Sequence, residues 1–133
     1  MTLVDTNILI DILSADRNWQ LWSAAALRQQ SLHGLLLINE IVYAELSARY
    51  TSQQKLDAAI DLLDLHFEWL PKSALYIAGQ TFNDYRRSGG IRTSILADFF
   101  IGAHAAAGKV PILTRDTGRY RRYFPDVELI APG

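Results

Sequence analysis

Four carboxylates stand in this chain where a buried apolar strand or helix should exclude one. Asp5 follows Leu3-Val4, and Glu45 lies in Val42-Tyr43-Ala44-Glu45-Leu46. Asp98 interrupts Ile95-Leu96-Ala97-Asp98-Phe99-Phe100-Ile101, and Asp116 closes Ile112-Leu113-Thr114-Arg115-Asp116. An ionised carboxylate buried alone is costly, so each must be neutralised, paired or bound to a metal. Brought together, they form an acidic cup, and an all-oxygen ligand set without His or Cys suits Mg2+ or Mn2+ rather than zinc. Each acid also has an ordinary role: Asp5 as a helix cap, Asp98 as a first-turn charge favoured by the helix dipole, Glu45 as a surface glutamate, Asp116 as a turn residue. Gly102, one turn beyond Asp98, is expected to leave room above it.

Other chemistries are excluded. With no cysteine there is no disulfide, thiolate metal site or cysteine nucleophile. His33, His66 and His104 have no ligand spacing and read as surface or satisfied core residues. No Gly-x-Ser-x-Gly, Ser-His-Asp or P-loop pattern occurs. A phosphoaspartate phosphatase needs a second acid two residues after its nucleophile, and Asn7 stands there instead. What remains is metal-assisted hydrolysis, in which one or two cations activate water and stabilise an in-line phosphoryl transition state.

The 133 residues predict one domain, residues 1–133, half hydrophobic and one-fifth charged. The net charge of −1 divides into −5 over residues 1–85 and +4 over residues 86–133. Arg86, Arg87, Arg92, Arg115, Arg119, Arg121 and Arg122 supply most of the basic part, which permits a polyanionic partner. No apolar run approaches the roughly 20 residues of a membrane helix, and Asp5 interrupts the apolar start. A soluble, cytoplasmic protein is expected.

Apolar runs and helical periodicities alternate. Thr2-Leu3-Val4, Leu35–Ile38, Phe67–Leu70, Val110–Leu113 and Val127–Ile130 read as strands. Helical spacing covers Ile8–Leu13, Trp19–Gln30, the segment with Glu40 and Glu45, Gln53–Leu65, Ala74–Arg87, a stretch from Ser94 to Gly108, and a short turn at Gly118–Tyr123. Asn39 and Ser94 are expected N-caps and Gly108 a C-terminal stop. Such alternation implies a parallel sheet covered on both faces, with ligands beyond the carboxyl ends of its strands. Asp5 and Asp116, each just after a strand's last apolar residue, belong there.

The motifs resemble those of the PIN-domain ribonucleases, and among them the VapC-type toxins of type II toxin–antitoxin systems. Val4-Asp5-Thr6-Asn7-Ile8-Leu9-Ile10-Asp11 is similar to their opening motif, and Asn39-Glu40-Ile41-Val42-Tyr43-Ala44-Glu45-Leu46 to their second. Ala97-Asp98-Phe99-Phe100-Ile101-Gly102-Ala103-His104-Ala105 resembles the third, and Leu113-Thr114-Arg115-Asp116-Thr117 with Tyr120, Tyr123 and Phe124 the fourth. The resemblance spans essentially the whole chain, in order. It implies a PIN-like three-layer α/β/α sandwich around a mostly parallel sheet of four to five strands. It implies RNA hydrolysis with Mg2+ or Mn2+ in a bacterial or archaeal cytoplasm. Asp5 and Asp98 would be the principal metal ligands, Glu45 and Asp116 would complete the catalytic site, and Asn7 and Thr114 would orient ligands or solvent. Asp11 and Glu40 would be solvated or structural. A homodimer and a VapB-type antitoxin placing a basic side chain in the acidic site are also implied. Arg86, Arg87, Arg92 and Arg115, ahead of Arg119, Arg121 and Arg122, would then bind RNA phosphates beside the acidic centre. Trp19, Trp22 and Trp69 read as core or interface packing.

Two further readings stand beside this one. A catalytically silent PIN module would serve as a protein- or RNA-binding scaffold, although the intact acidic quartet speaks against silence. A receiver-like phosphoacceptor would need a Lys after a late strand, where this chain has Thr114-Arg115-Asp116.

Overall fold

Each apolar run lands in one parallel sheet. β1 (Thr2–Val4), β2 (Leu36–Ile38), β3 (Leu65–Phe67), β4 (Ile112–Leu113) and β5 (Leu129–Ile130) pair in the order β3-β2-β1-β4-β5, every neighbour parallel. The computed structural model describes residues 1–93 and 95–133, so the cap expected at Ser94 lies outside the described residues. The helices are α1 (Thr6–Leu13), α2 (Gln20–Ser31), α3 (Glu40–Ser47), α4 (Gln53–Leu62), α5 (Lys72–Arg87), α6 (Leu96–Gly108) and α7 (Gly118–Tyr123). Every residue of β1 and β2 is buried. Because strand side chains alternate between faces, both faces must be covered, which gives the expected α/β/α layering. Leu3, Val4, Ile38, Ile112 and Leu113 are fully inaccessible at its centre, with Ile8, Leu9, Phe99 and Ile101 from the helices.

The winding places the site. From β1 the chain steps outward through β2 to β3, then returns to lay β4 on the other side of β1. This reversal opens a crevice at the carboxyl ends of β1 and β4. α1 starts directly after β1, and α7 follows β4 across a four-residue turn, so both helices border the crevice.

Several boundaries differ from the sequence reading. α4 stops at Leu62 and Asp64 takes a left-handed conformation (φ 55°). The strand therefore begins at Leu65, paired with Leu36, and ends where the expected strand began. Aspartate tolerates that conformation better than most residues, and apolar periodicity cannot register it. β4 and β5 are shorter than expected, two residues each. Gly108 is the last helical residue, and Lys109 (φ 53°) makes the left-handed turn expected of the glycine. The N-cap expected at Asn39 is in place: its side chain accepts from the Ile41 and Val42 N–H groups, each at 3.0 Å.

Gly102 has a different purpose from the one its spacing suggests. A Cβ there would lie 2.4 Å from the Phe124 ring, so the glycine admits that ring rather than a ligand above Asp98. Gly102→Ala is therefore expected to lower stability by about 1–3 kcal/mol through overpacking, despite alanine's better helix propensity. Thermal denaturation checks this; an unchanged or higher Tm would mean that the ring moves aside freely.

Candidate active site

Asp5 is the first residue beyond β1, and its N–H donates to the Leu113 carbonyl of β4 at 2.9 Å. Its carboxylate caps α1, with Oδ1 accepting from the Thr6 N–H at 2.7 Å. Oδ2 accepts from the Thr114 hydroxyl at 2.8 Å and the Tyr120 hydroxyl at 2.9 Å, with the Asn7 amide at 3.4 Å. Asp5 is thus both helix cap and the centre of a polar network. All its donors are neutral, and the side chain is only 5% exposed. Burial pushes its pKa up to about 6 against the lowering effect of the Thr114 and Tyr120 hydroxyls, and the nearby Asp98 charge adds to the rise. Burial beside these anions raises the Tyr120 phenol well above its ordinary value, which keeps it a donor.

Thr114, not Asp116, is the residue directly after β4. It is fully buried, and its hydroxyl accepts from the Asn7 amide at 3.2 Å and the Asp116 N–H at 3.1 Å. Asn7 Oδ1 in turn accepts from the Arg115 N–H at 3.3 Å. Glu45, exposed late in α3, accepts from the Thr6 hydroxyl at 2.7 Å. Asp98 in the first turn of α6 is ion-paired with Arg119 of α7. Asp116 is exposed in the turn before α7.

Asp5, Glu45, Asp98 and Asp116 line one cavity of about 190 Å³, together with Thr6, Asn7, Ile10, Arg119 and Tyr120. Among the described residues, no three Asp, Glu or His side chains close into a cluster able to enclose a metal. Donor chemistry is nonetheless compatible with Mg2+, which keeps several waters and takes only one or two carboxylates from the protein. Asp5 has no cationic partner among the described residues. A buried carboxylate in that position is a fitting oxygen donor for a hard cation.

The arginines divide. Arg115 grips Asp11 with Nε at 2.7 Å and a terminal nitrogen at 2.9 Å, while its guanidinium lies 5.2 Å from the Trp19 ring centre. Asp11 is 1% exposed and also accepts from the Ser23 hydroxyl at 2.7 Å. Burial pushes the Asp11 carboxyl up, but Arg115 and Ser23 outweigh it and hold it below the ordinary value. Asp11 is therefore structural, and Arg115 is engaged as its strut rather than free for phosphate. Glu40 is structural too, accepting from the Leu70 N–H at 2.8 Å. Arg86 and Arg87 are exposed at the end of α5 and do not line the acidic cavity. Arg92 lines a neighbouring groove that shares Asp116 and Arg119 with it. His104 is a satisfied core residue, 3.0 Å from the Asn39 amide. Trp69 is 69% exposed against Phe67 and not a core residue.

Sequence reasoning missed Thr6 and Tyr120 as site residues, and it read Arg119 only as a secondary phosphate ligand rather than the partner of Asp98. A signal for Tyr120 existed: with Phe124 it is the inward i, i+4 pair of an otherwise arginine-rich turn. Nothing local marks Arg119 as the partner of Asp98.

The PIN-domain family profile matches residues 2–125. No curated protein is similar enough to match. Among solved structures, VapBC2 from Rickettsia felis, bound to a DNA fragment from its promoter, superposes with a TM-score of 0.76 at 18% identity, covering 99% of this chain and 98% of that one. VapBC-1 from nontypeable Haemophilus influenzae gives 0.74 at 19% identity over 98% and 96%. FitAcB from Neisseria gonorrhoeae gives 0.68 at 22% identity over 98% and 96%. At these identities the structural likeness speaks for the fold, and the profile match for the lineage. With four acids delivered to one crevice by a five-stranded parallel sheet, the chain belongs to the PIN-domain family.

Proposed function

We propose that this protein is a metal-dependent endoribonuclease, the toxin of a toxin–antitoxin pair. The observation that carries the reading is the shared cavity: four elements distant in sequence bring Asp5, Glu45, Asp98 and Asp116 to one crevice, where Asp5 is buried among neutral donors only. The likeness to VapBC and FitAcB proteins supports the toxin assignment, and a VapB-type antitoxin is the partner this reading names.

Asp5 and Asp98 would hold Mg2+ or Mn2+, with Glu45 and Asp116 reaching it directly or through water. When bound, such an ion lowers the pKa of its water and offsets charge developing on the phosphoryl oxygens. The chain's own residues do the positioning. Thr114 and Tyr120 hold Asp5 Oδ2 in one orientation, and Asn7 locks Thr114 to the start of the next turn. Thr6 steers Glu45 toward the cavity. An orienting shell of this kind is typically worth 10- to 100-fold in metal affinity or activity, on the order of its measured range elsewhere.

The test is incubation of the isolated chain with structured RNAs, with and without Mg2+ or Mn2+. Cleavage is expected only with metal, and Asp98→Asn is expected to reduce it by at least about 100-fold, the scale of removing one strong charge-stabilising group. Cleavage persisting in EDTA, or undiminished in the variant, would sink the mechanism. RNA bound but never cut would favour the scaffold reading.

A further inference from the structure

Beside the acidic cavity lies a groove of about 480 Å³ that shares Asp116 and Arg119 with it. Tyr85, Arg92, Arg122 and Tyr123 form its walls and buried Ile95 part of its floor. Arg92 and Arg122 are exposed, and neither has a carboxylate partner among the described residues. The Arg122 guanidinium lies 5.3 Å from the centre of the Tyr123 ring. Two free guanidinium groups therefore stand next to the acidic cavity without being paired to its carboxylates.

The aromatic wall is held in place before any ligand arrives. The Tyr85 hydroxyl accepts from the Arg92 N–H at 3.1 Å, which ties the loop after α5 to this ring. Gly90 lets the loop lie on the ring, since a Cβ there would come within 2.4 Å of it. Tyr123 meets Phe99 edge-on at 4.9 Å and Tyr85 at 6.2 Å, so both tyrosines are anchored in the core. Rigid aromatic surface beside unpaired arginines is the combination that holds single-stranded RNA, with phosphate on the guanidinium groups and a base against the rings. The groove's volume falls within the roughly 300–1,000 Å³ of small-molecule sites, room enough for one nucleotide.

We propose that this groove binds the nucleotide adjoining the scissile phosphate of RNA, with Arg92 and Arg122 on its phosphate and Tyr85 and Tyr123 beside its base. The inference rests on the nuclease reading above. It replaces three of the arginines that sequence alone offered for RNA: Arg115 is tied to Asp11, and Arg86 and Arg87 lie outside both cavities. Arg119, at the junction of groove and cavity, is the point where a bound strand passes from one to the other.

The experiment compares Arg92→Gln/Arg122→Gln with Arg86→Gln/Arg87→Gln, two pairs that remove the same charge. Binding of a short fluorescent single-stranded RNA is followed by anisotropy in EDTA across a salt series, so that cleavage cannot interfere. The groove pair is expected to raise Kd about tenfold and to flatten the log–log salt slope by about 0.7, the value for one neutralised phosphate on a single strand. The control pair should move Kd by less than about threefold, as expected when charge acts only at a distance in salt. With Mn2+ and cleavable RNA, the groove pair should raise KM while leaving kcat within about threefold, the pattern of lost uniform binding. Equal weakening by both pairs, unchanged binding by the groove pair, or no binding by the parent overturns the groove. Absence of metal-dependent cleavage in the parent instead overturns the nuclease reading, and the EDTA comparison still decides the groove.

Discussion

Asp5→Asn is expected to abolish RNA cleavage and, above pH 6, to make the protein more stable. The activity loss follows from removing the buried carboxylate proposed as a metal ligand, and should reach about 1,000-fold or more, the upper range for a single electrostatic group. The stability gain follows from linkage. Burial raises the Asp5 carboxyl to about 6 from 3.8, so the native state holds a proton that the unfolded chain releases between those values. The stabilisation from that proton is complete below about pH 4 and is lost as pH rises through 6. At pH 8 the parent carries a buried charge worth about 3 kcal/mol, converting the shift at roughly 1.4 kcal/mol per pH unit. Asparagine removes the charge but keeps the cap, because Asn and Asp cap equally well. The Thr114 and Tyr120 hydroxyls can each accept as well as donate, so the new amide finds partners. Melting in EDTA from pH 4 to 8 should show the variant several degrees more stable at pH 8, with the advantage vanishing toward pH 4. Mn2+ should then raise the Tm of the parent and leave that of Asp5→Asn unmoved. A parent and variant that differ equally at every pH would show that the carboxyl titrates normally and would falsify this account.

Arg115→Ala is expected to act on stability first and on RNA second. Removing one partner of a buried pair strands the other charge, at about 3–5 kcal/mol. Arg115 is 29% exposed, so the lower end applies, while Asp11 is left nearly inaccessible with Ser23 alone. Trp19 also loses the cation on its face. In urea denaturation, Arg115→Ala should lose about 3 kcal/mol, and the double change Asp11→Leu/Arg115→Met should recover most of it, since replacing both partners by apolar groups of similar bulk is often neutral. RNA affinity of the single variant, measured well below its melting temperature, should change little. A loss under 1 kcal/mol would mean that water reaches Asp11, and a large fall in RNA affinity would return Arg115 to the RNA surface.

What could be read in advance was what neighbours in sequence determine. Leu3-Val4 followed by Asp5-Thr6-Asn7 marks a strand running into a capped helix, and Asn39 before Glu40 marks a second cap. Alternating apolar runs and helical periodicities were enough for a parallel sheet with its site at the strand ends. The partnerships were not legible, because they join residues that only the strand order brings together. Tyr120 and Asp5 are 115 residues apart, Thr114 and Asp5 109, Arg115 and Asp11 104. No periodicity records such a pairing, so Arg115 looked like a free phosphate ligand and Asp11 could not be told from a solvated acid. Gly102 failed for the same reason: its i+4 spacing from Asp98 says which face it occupies, but not that Phe124 fills the space. The third strand was misplaced for a local reason, the left-handed turn at Asp64, which a pattern of apolar residues does not encode.

One short helix carries partners for the two carboxylates proposed as metal ligands. Arg119 reaches Asp98, Tyr120 reaches Asp5, and Phe124, just after the helix, fills the space above Gly102. All three lie in the last fifteen residues of this sequence, whereas Asp5 lies among the first. During synthesis from the amino end, Asp5 and Asp98 are therefore both made before their partners. Until Ile112–Tyr120 has emerged, Asp5 has no Leu113 carbonyl beside it and no hydroxyl from Thr114 or Tyr120. The cavity cannot exist until α7 has been made.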